Sequence, residues 1–405
     1  MSGGLGIFIV ALMVIVMVHE AGHLAMAKAF GFKATRFFVG MGPTIWSTQR
    51  GETEYGIKAL PIGGFVKIVG MSPYEEIPPE DLPRSYPNKP KWQRALVLLG
   101  GPATHWVLAF VILVGATMMV GFPTGEATNR IEVVETTFLG AELPSAQIGL
   151  APGDRIVGVG RNRTSEWRDV LRYIRSRGGE TATFHVDSGG QVERRTVDLG
   201  WALFARGEVR GYVAPGSGLV PLRARGELRG FIPYRAADEV VGFLGVQPEL
   251  VYEKKGLGGA IADASSRTWE LTKFSVTGIG DVFGMVFDGR LLSALQGTGE
   301  REVTEGPCGI VCAGRVVGES AESGRYLDVI GFIVGFTVFI GLMNLLPLPP
   351  LDGGHLAVLG YEAITGRAVD VRKLIPIAAA VISFFVILFI AVLYLDLARP
   401  IRLPF

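Results

Sequence analysis

Cysteine, histidine and charge are scarce in this 405-residue chain, which has 2 Cys, 5 His and only 19% charged residues. Ordinary soluble domains carry about 25% charged residues. Two cysteines exclude a scaffold built on disulfides. Lys+Arg (39) and Asp+Glu (38) nearly cancel, leaving a net charge of +1. That balance excludes a strongly basic nucleic-acid binder, and no nucleic-acid partner is expected. With 49% hydrophobic residues, a disordered chain is excluded as well. Length alone allows two or three ordinary domains.

The apolar residues are concentrated. Met1 to Val18, Ala95 to Val120, Val329 to Leu351 and Leu374 to Leu395 contain no charged side chain. A membrane-crossing helix needs about 20 residues. The first run reaches that length if it continues through Phe30. Four such runs are too many for the buried helices of a soluble protein. A cleaved signal peptide is disfavoured for the first, because no Lys or Arg precedes it. The expected spans are 4–30, 94–121, 327–352 and 373–397.

Charge orients them. From Lys28 to Arg94 there are 10 Lys/Arg and 6 Asp/Glu, whereas 122–328 holds 24 Lys/Arg and 27 Asp/Glu. The positive-inside rule then puts 31–93 and the turn at 361–373 in the cytosol, with both termini and the long segment outside. Arg399 and Arg402 run mildly against this orientation.

Within the cytosolic loop, 52–69 alternates partly and breaks at Pro61-Ile62-Gly63-Gly64, which reads as a β-hairpin. It is unusually apolar, and near a membrane its edge can add a substrate strand. Outside, Gly149-Leu-Ala-Pro-Gly-Asp-Arg-Ile156, a helix carrying Trp167, Val170, Leu171 and Ile174, and strands near 181–187 and 192–199 resemble a PDZ domain, placed at 125–200. His185 reads as a strand residue there. The region 201–326 is left without a fold assignment over 200–255. Its 259–288 stretch has partly helical apolar spacing, which suits an amphipathic helix in the membrane interface or one packed on the PDZ-like domain. Cys308 and Cys312 read as small packing residues, with an exported disulfide as the alternative.

His19-Glu20-Ala21-Gly22-His23 carries the chemistry. On a helix, residues i and i+4 share a face, so two imidazoles can hold one Zn²⁺, with Glu20 free to act as a base. Ionisable groups inside an apolar span mark function by default. A catalytic zinc needs a third protein ligand. Asp352 is the one carboxylate in the Pro-rich stretch Asn344-Leu-Leu-Pro347-Leu-Pro-Pro-Leu-Asp352, which breaks the third span. Such a break is tolerated where it lines a cavity or is buried. His355 is the competing ligand, and His105 in the second span is a further candidate.

These motifs, with Phe38-Val-Gly-Met-Gly-Pro43, Leu60-Pro-Ile-Gly-Gly-Phe65 and Gly100-Gly-Pro102, occur in the order seen in bacterial site-2 proteases. The chain resembles that family of intramembrane zinc metalloproteases, of the regulator of sigma-E protease type. The resemblance implies His19, His23 and Asp352 as zinc ligands, Glu20 as catalytic base and Asn344 in contact with substrate. It implies that the 52–69 segment, with Gly63, Gly64 and Phe65, dips into the membrane and pairs with substrate. It implies a PDZ domain that filters substrates by ectodomain size. Expected partners are single-span membrane proteins such as anti-sigma factors, an upstream site-1-type protease that trims them, and the lipid bilayer of a bacterial inner membrane. The expected fold is a polytopic α-helical membrane protein with four transmembrane helices, an inserted membrane-associated β-hairpin and an extracytoplasmic α+β PDZ-like domain. One departure stands out: the family usually has Asn where this chain has His105. A metal transporter and a catalytically dead peptide-binding adaptor are the alternatives; liposome uptake of zinc and metal analysis separate them.

Overall fold

The computed structural model describes residues 2–72, 75–138, 140–205, 208–215, 221–222, 227–228, 239–297, 306–322, 324–367 and 369–401. Arg402, noted above for its charge, lies outside them. The chain forms two compact units, Gly121–Glu253 and a larger one made of Met1–Val120 with Lys254–Phe405. The described helices are α1 (Ser2–Ala29), α2 (Lys91–Met119), α3 (Pro144–Gln147), α4 (Trp167–Arg175), α5 (Leu257–Phe287), α6 (Arg290–Gln296), α7 (Ile310–Glu322), α8 (Tyr326–Asn344), α9 (Asp352–Thr365) and α10 (Ile375–Ala398). Among the described residues, four helical stretches are long and apolar enough to cross a membrane: Gly3–Ala29, Lys91–Met119, Tyr326–Asn344 and Arg372–Ala398.

In the larger unit, α1 has two unlike faces. Ile7, Val10, Val14 and Met17 are exposed, while Phe8, Ile15, His19 and His23 are buried. Both sets recur at helical spacing, so the apolar stripe suits lipid and the mixed stripe suits protein. Two glycine contacts set how closely the neighbours approach. A Cβ on Gly22 would collide with the Gly100 carbonyl of α2, and one on Gly4 with the backbone of Gly318 in α7. The expected third span, 327–352, is broken at its Pro-rich stretch. α8 stops at Asn344 and α9 restarts at Asp352, with a cis Pro349–Pro350 bond between them. Prolines lack the N–H and clash with the preceding turn.

The segment 52–69 is not a hairpin by itself. It forms strand β2 (Thr53–Ile68), which pairs with β1 (Ala34–Arg50). The turn lies at Gly51, whose φ of 62° favours glycine. Arg36 to Val39 face partners at 64–67 and a second set at 54–57, and 44–50 pairs with 53–58. Both strands therefore bend, at Gly40–Pro43 and around Gly63, into a small sheet. Residues 34–39 lie inside it and 64–68 form an edge.

The helix expected near 259–288 is α5, Leu257–Phe287. α5 lies along α2 and α8. Thr272 accepts a 3.0 Å hydrogen bond from Trp106 Nε1, and Leu271 meets Gly335. Cys308 and Cys312 form a disulfide at the start of α7 rather than a pair of free packing thiols. The buried Asp396 carboxylate of α10 accepts from the Gly309 and Cys312 amides there, at 3.2 and 3.0 Å.

The Gly121–Glu253 unit is built on a sheet in the order Val246–Glu253, Phe122–Val134, Arg155–Val159, Thr181–Ser188, Gln191–Asp198, with Asn162–Arg163 paired to the third strand. His185 lies on its fourth strand. Its core includes Ile131, Ile156, Val170, Phe184 and Leu199. The boundary at residue 200 was too short. Val246–Glu253 pairs with Phe122–Val134 in the same sheet, so the unit closes only at Glu253. Gly200–Ala205 and Glu239–Phe243 pair in a second small sheet with Glu208–Val213.

Candidate active site

His19 and His23 lie one turn apart on the buried face of α1, and Asp352 is the first residue of α9. Asp352 Oδ2 is 3.2 Å from His19 Nε2 and 3.3 Å from His23 Nε2, and the two Nε2 atoms are 3.1 Å apart. Among the described residues, no other group of three His, Cys, Asp or Glu side chains converges in this way.

The protons on these rings follow from their outer nitrogens. His23 Nδ1 lies 2.7 Å from the Val97 carbonyl, an acceptor only, so Nδ1 carries the proton and Nε2 holds a lone pair. His19 Nδ1 lies 3.0 Å from His105 Nε2. With the His19 proton likewise on Nδ1, two imidazole lone pairs and a carboxylate oxygen face one point. Three acceptors this close repel one another unless a cation lies between them. A tetrahedral zinc with bonds of about 2.0–2.1 Å has ligand-to-ligand edges of about 3.3–3.4 Å. The observed triangle of 3.1–3.3 Å matches that size, and two imidazoles with a carboxylate form a zinc donor set.

The neighbours explain why these groups meet. α2 approaches α1 at Gly22 and Gly100, which brings the Val97 carbonyl to His23. A Cβ on Gly101 would overlap the His23 ring. Pro102 follows inside α2 and loosens the turn before it. Gly353 and Gly354 let α9 start tightly against the backbone of 345–349, which delivers Asp352.

Glu20 points elsewhere, as its offset of about 100° from His19 requires. Its Oε2 accepts a 2.9 Å hydrogen bond from the Val66 amide, on the edge segment of β2. Gly64 leaves room for this approach, since a Cβ there would stand 3.5 Å from the Glu20 side chain and 3.0 Å from the Phe38 carbonyl. Gly63 takes a φ of 73° beside it. Phe65 stacks on Phe38 with centroids 5.6 Å apart, and Lys58 caps the two rings at 5.1 Å from Phe38 and 5.7 Å from Phe65. Of the three residues singled out at 63–65, Gly64 lies beside the Glu20 side chain. Asn344 ends α8, one turn beyond Gly341, which packs against His105.

Neither competing ligand joins the triangle. His105 bonds the outer nitrogen of His19. His355, one turn beyond Asp352, lines an apolar cavity of about 80 Å³ with Pro349, Pro350, Gly354, Leu374, Ile375 and Ala378. Sequence reasoning missed Val97 and Val66, which act through backbone atoms and so leave no side-chain signal. Gly101 was visible only as part of Gly100-Gly-Pro102.

Comparison with known proteins gives the family. The model of peptidase family M50 matches residues 7–390. The chain is 30% identical to zinc metalloprotease Rip1 of Mycobacterium tuberculosis over 426 residues, covering 99% of this chain and 98% of the relative. It is 29% identical to metalloprotease MmpA of Caulobacter vibrioides over 384 residues, covering 88% and 85% of the two chains. It is 24% identical to zinc metalloprotease RasP of Geobacillus kaustophilus over 441 residues, covering 90% and 91%. With an M50 match over nearly its whole length and a convergent His, His, Asp cluster between its apolar helices, this chain belongs to peptidase family M50, the site-2 protease family.

Proposed function

We propose that the chain is an intramembrane zinc endopeptidase that cuts single-span membrane proteins, such as anti-sigma factors, after an upstream protease has trimmed their exported part. As a member of family M50 it is a zinc metalloprotease, and its apolar helices suit a multi-pass membrane protein. The observation that carries the finer reading is the 3.1–3.3 Å triangle of His19, His23 and Asp352, with Glu20 beside it.

His19, His23 and Asp352 would hold the zinc. When bound, zinc supplies Lewis acidity, which makes water a nucleophile near neutral pH and polarises the scissile carbonyl. Glu20 takes the proton of the attacking water and returns it to the departing amide nitrogen. Asn344 is assigned to substrate contact, as the family resemblance implies. A substrate helix has all its amides bonded internally, so it must unwind before attack. The edge at 64–68 offers replacement backbone partners by strand addition. Exposed Met41, Ile45, Trp46, Ile57 and Leu60 suit a sheet whose tip dips into the bilayer.

The charge asymmetry puts the 31–93 loop, and the active site with it, on the cytosolic side, and the Gly121–Glu253 unit outside. That unit is read as PDZ-like and as a filter on substrate size. The deciding experiment uses Glu20→Gln in purified full-length protein with a model single-span substrate. Cleavage should fall to background while zinc stays near one per chain; normal cleavage by the variant would end the proposed mechanism.

A further inference from the structure

We propose that His105 is a positioning residue of the metal centre, holding His19 in the tautomer and ring orientation that turn its Nε2 lone pair toward Asp352. The inference rests on the zinc reading of the site and extends it to a residue outside the ligand set. His105 lies in α2, fully buried, with Nε2 3.0 Å from His19 Nδ1. For His19 to offer a lone pair at Nε2, its proton must sit on Nδ1. His19 Nδ1–H then donates and His105 Nε2 accepts, which puts the His105 proton on its own Nδ1. That atom is buried without a hydrogen-bond partner among the described residues.

The surroundings make room for this ring. A Cβ on Gly341 would stand 2.8 Å from His105 Cβ and 3.0 Å from its Cγ. The His19 and His105 rings are 5.1 Å apart and tilted by 56°, an edge-directed arrangement rather than a stack. The two zinc-facing imidazoles are thus held by different devices, His23 by the Val97 carbonyl and His19 by a second imidazole. Outer partners of ligating histidines fix orientation and raise ligand basicity. An asparagine at 105 carries its amide near the place of Nδ1, whereas glutamine reaches the place of Nε2. The contact therefore depends on the longer side chain found in this chain.

The test measures zinc affinity, by chelator competition, in detergent-purified full-length protein and its His105→Leu, His105→Gln, His105→Phe and His19→Ala variants. Cobalt loaded in place of zinc gives a visible spectrum of the same site. His105→Leu should weaken zinc binding by roughly 10–100-fold and shift the cobalt bands, while the denaturation midpoint of the metal-free protein stays put. His105→Gln should restore most of both. His105→Phe, which keeps a planar ring without a nitrogen, replaces His105→Leu if that variant does not fold, with the same losses expected. Unchanged zinc affinity and cobalt bands in the apolar variants would overturn the proposal. So would a matching loss of metal-free stability, which would mean packing alone. If His19→Ala binds zinc as the wild type does, the zinc reading itself fails, and this proposal with it.

Discussion

A single carbon decides much at the centre of this molecule. Gly101 has no Cβ because the His23 ring occupies that space. Gly101→Val should push the ring off the Val97 carbonyl, drop zinc content toward zero and cut proteolysis by about 100-fold or more. Metal analysis beside the cleavage assay would show it; a variant that keeps its zinc would mean that the ring relocates without loss. Glu20 differs in kind. It bonds the Val66 amide and is no member of the ligand triangle, which is why Glu20→Gln is expected to separate chemistry from metal binding. The His-Glu-x-x-His pattern was legible in sequence because helical periodicity places both histidines on one face. The partners of their outer nitrogens were not, since Val97 and His105 come from 74 and 86 residues away.

At the scale of elements, close helix crossings and one loop-to-sheet ion pair carry the arrangement. Gly4 of α1 meets Gly314 and Gly318 of α7, and Phe8 packs with Ala313 and Val317 one turn on. Gly4→Leu should cost roughly 1–3 kcal/mol through overpacking, read as a lower midpoint in detergent denaturation. An unchanged midpoint would show that α7 yields easily. In the 31–93 loop, Arg84 bonds Glu52 through two contacts of 2.6 and 2.7 Å. The Arg84 hydrogen bonds hold the Glu52 carboxyl below its ordinary value of 4.5. A carboxyl depressed by folding contributes stability above its unfolded pKa, and that contribution fades as pH falls through the folded value. The pair is partly solvated, so the effect is under about 1 kcal/mol. Arg84→Ala should flatten the acid limb of the stability profile below about pH 5 and leave neutral pH only slightly changed. An acid limb identical to wild type would show that the pair contributes nothing. The β1–β2 arrangement was half visible from sequence. The apolar alternation of 52–69 marked strand structure, but its partner, 34–50, was hidden by glycines that bend the strand rather than end it.

For the molecule as a whole, Phe122 and Glu253 are cross-strand partners, so the chain enters and leaves the Gly121–Glu253 unit at one point. Units inserted this way tolerate excision. Isolated 121–253 should unfold cooperatively without any dependence on zinc. The chain with that segment replaced by a short Gly/Ser link should keep zinc near one per chain and cut untrimmed substrate faster than the full protein. Loss of zinc on excision would make the unit part of the catalytic fold, and an unchanged rate on untrimmed substrate would remove the size filter. What the sequence determined by itself was local and periodic. The apolar runs, the helix breaks at proline, the charge asymmetry and the placing of His19 and His23 on one helix face all follow from near neighbours in the chain. Only the tertiary structure decided how far the Gly121–Glu253 unit extends, that α5 lies along α2 and α8, and that His105 is a partner of His19 instead of a ligand. Each of these depends on which distant backbones come close enough to touch, and that is set by packing between elements that no single stretch of sequence records.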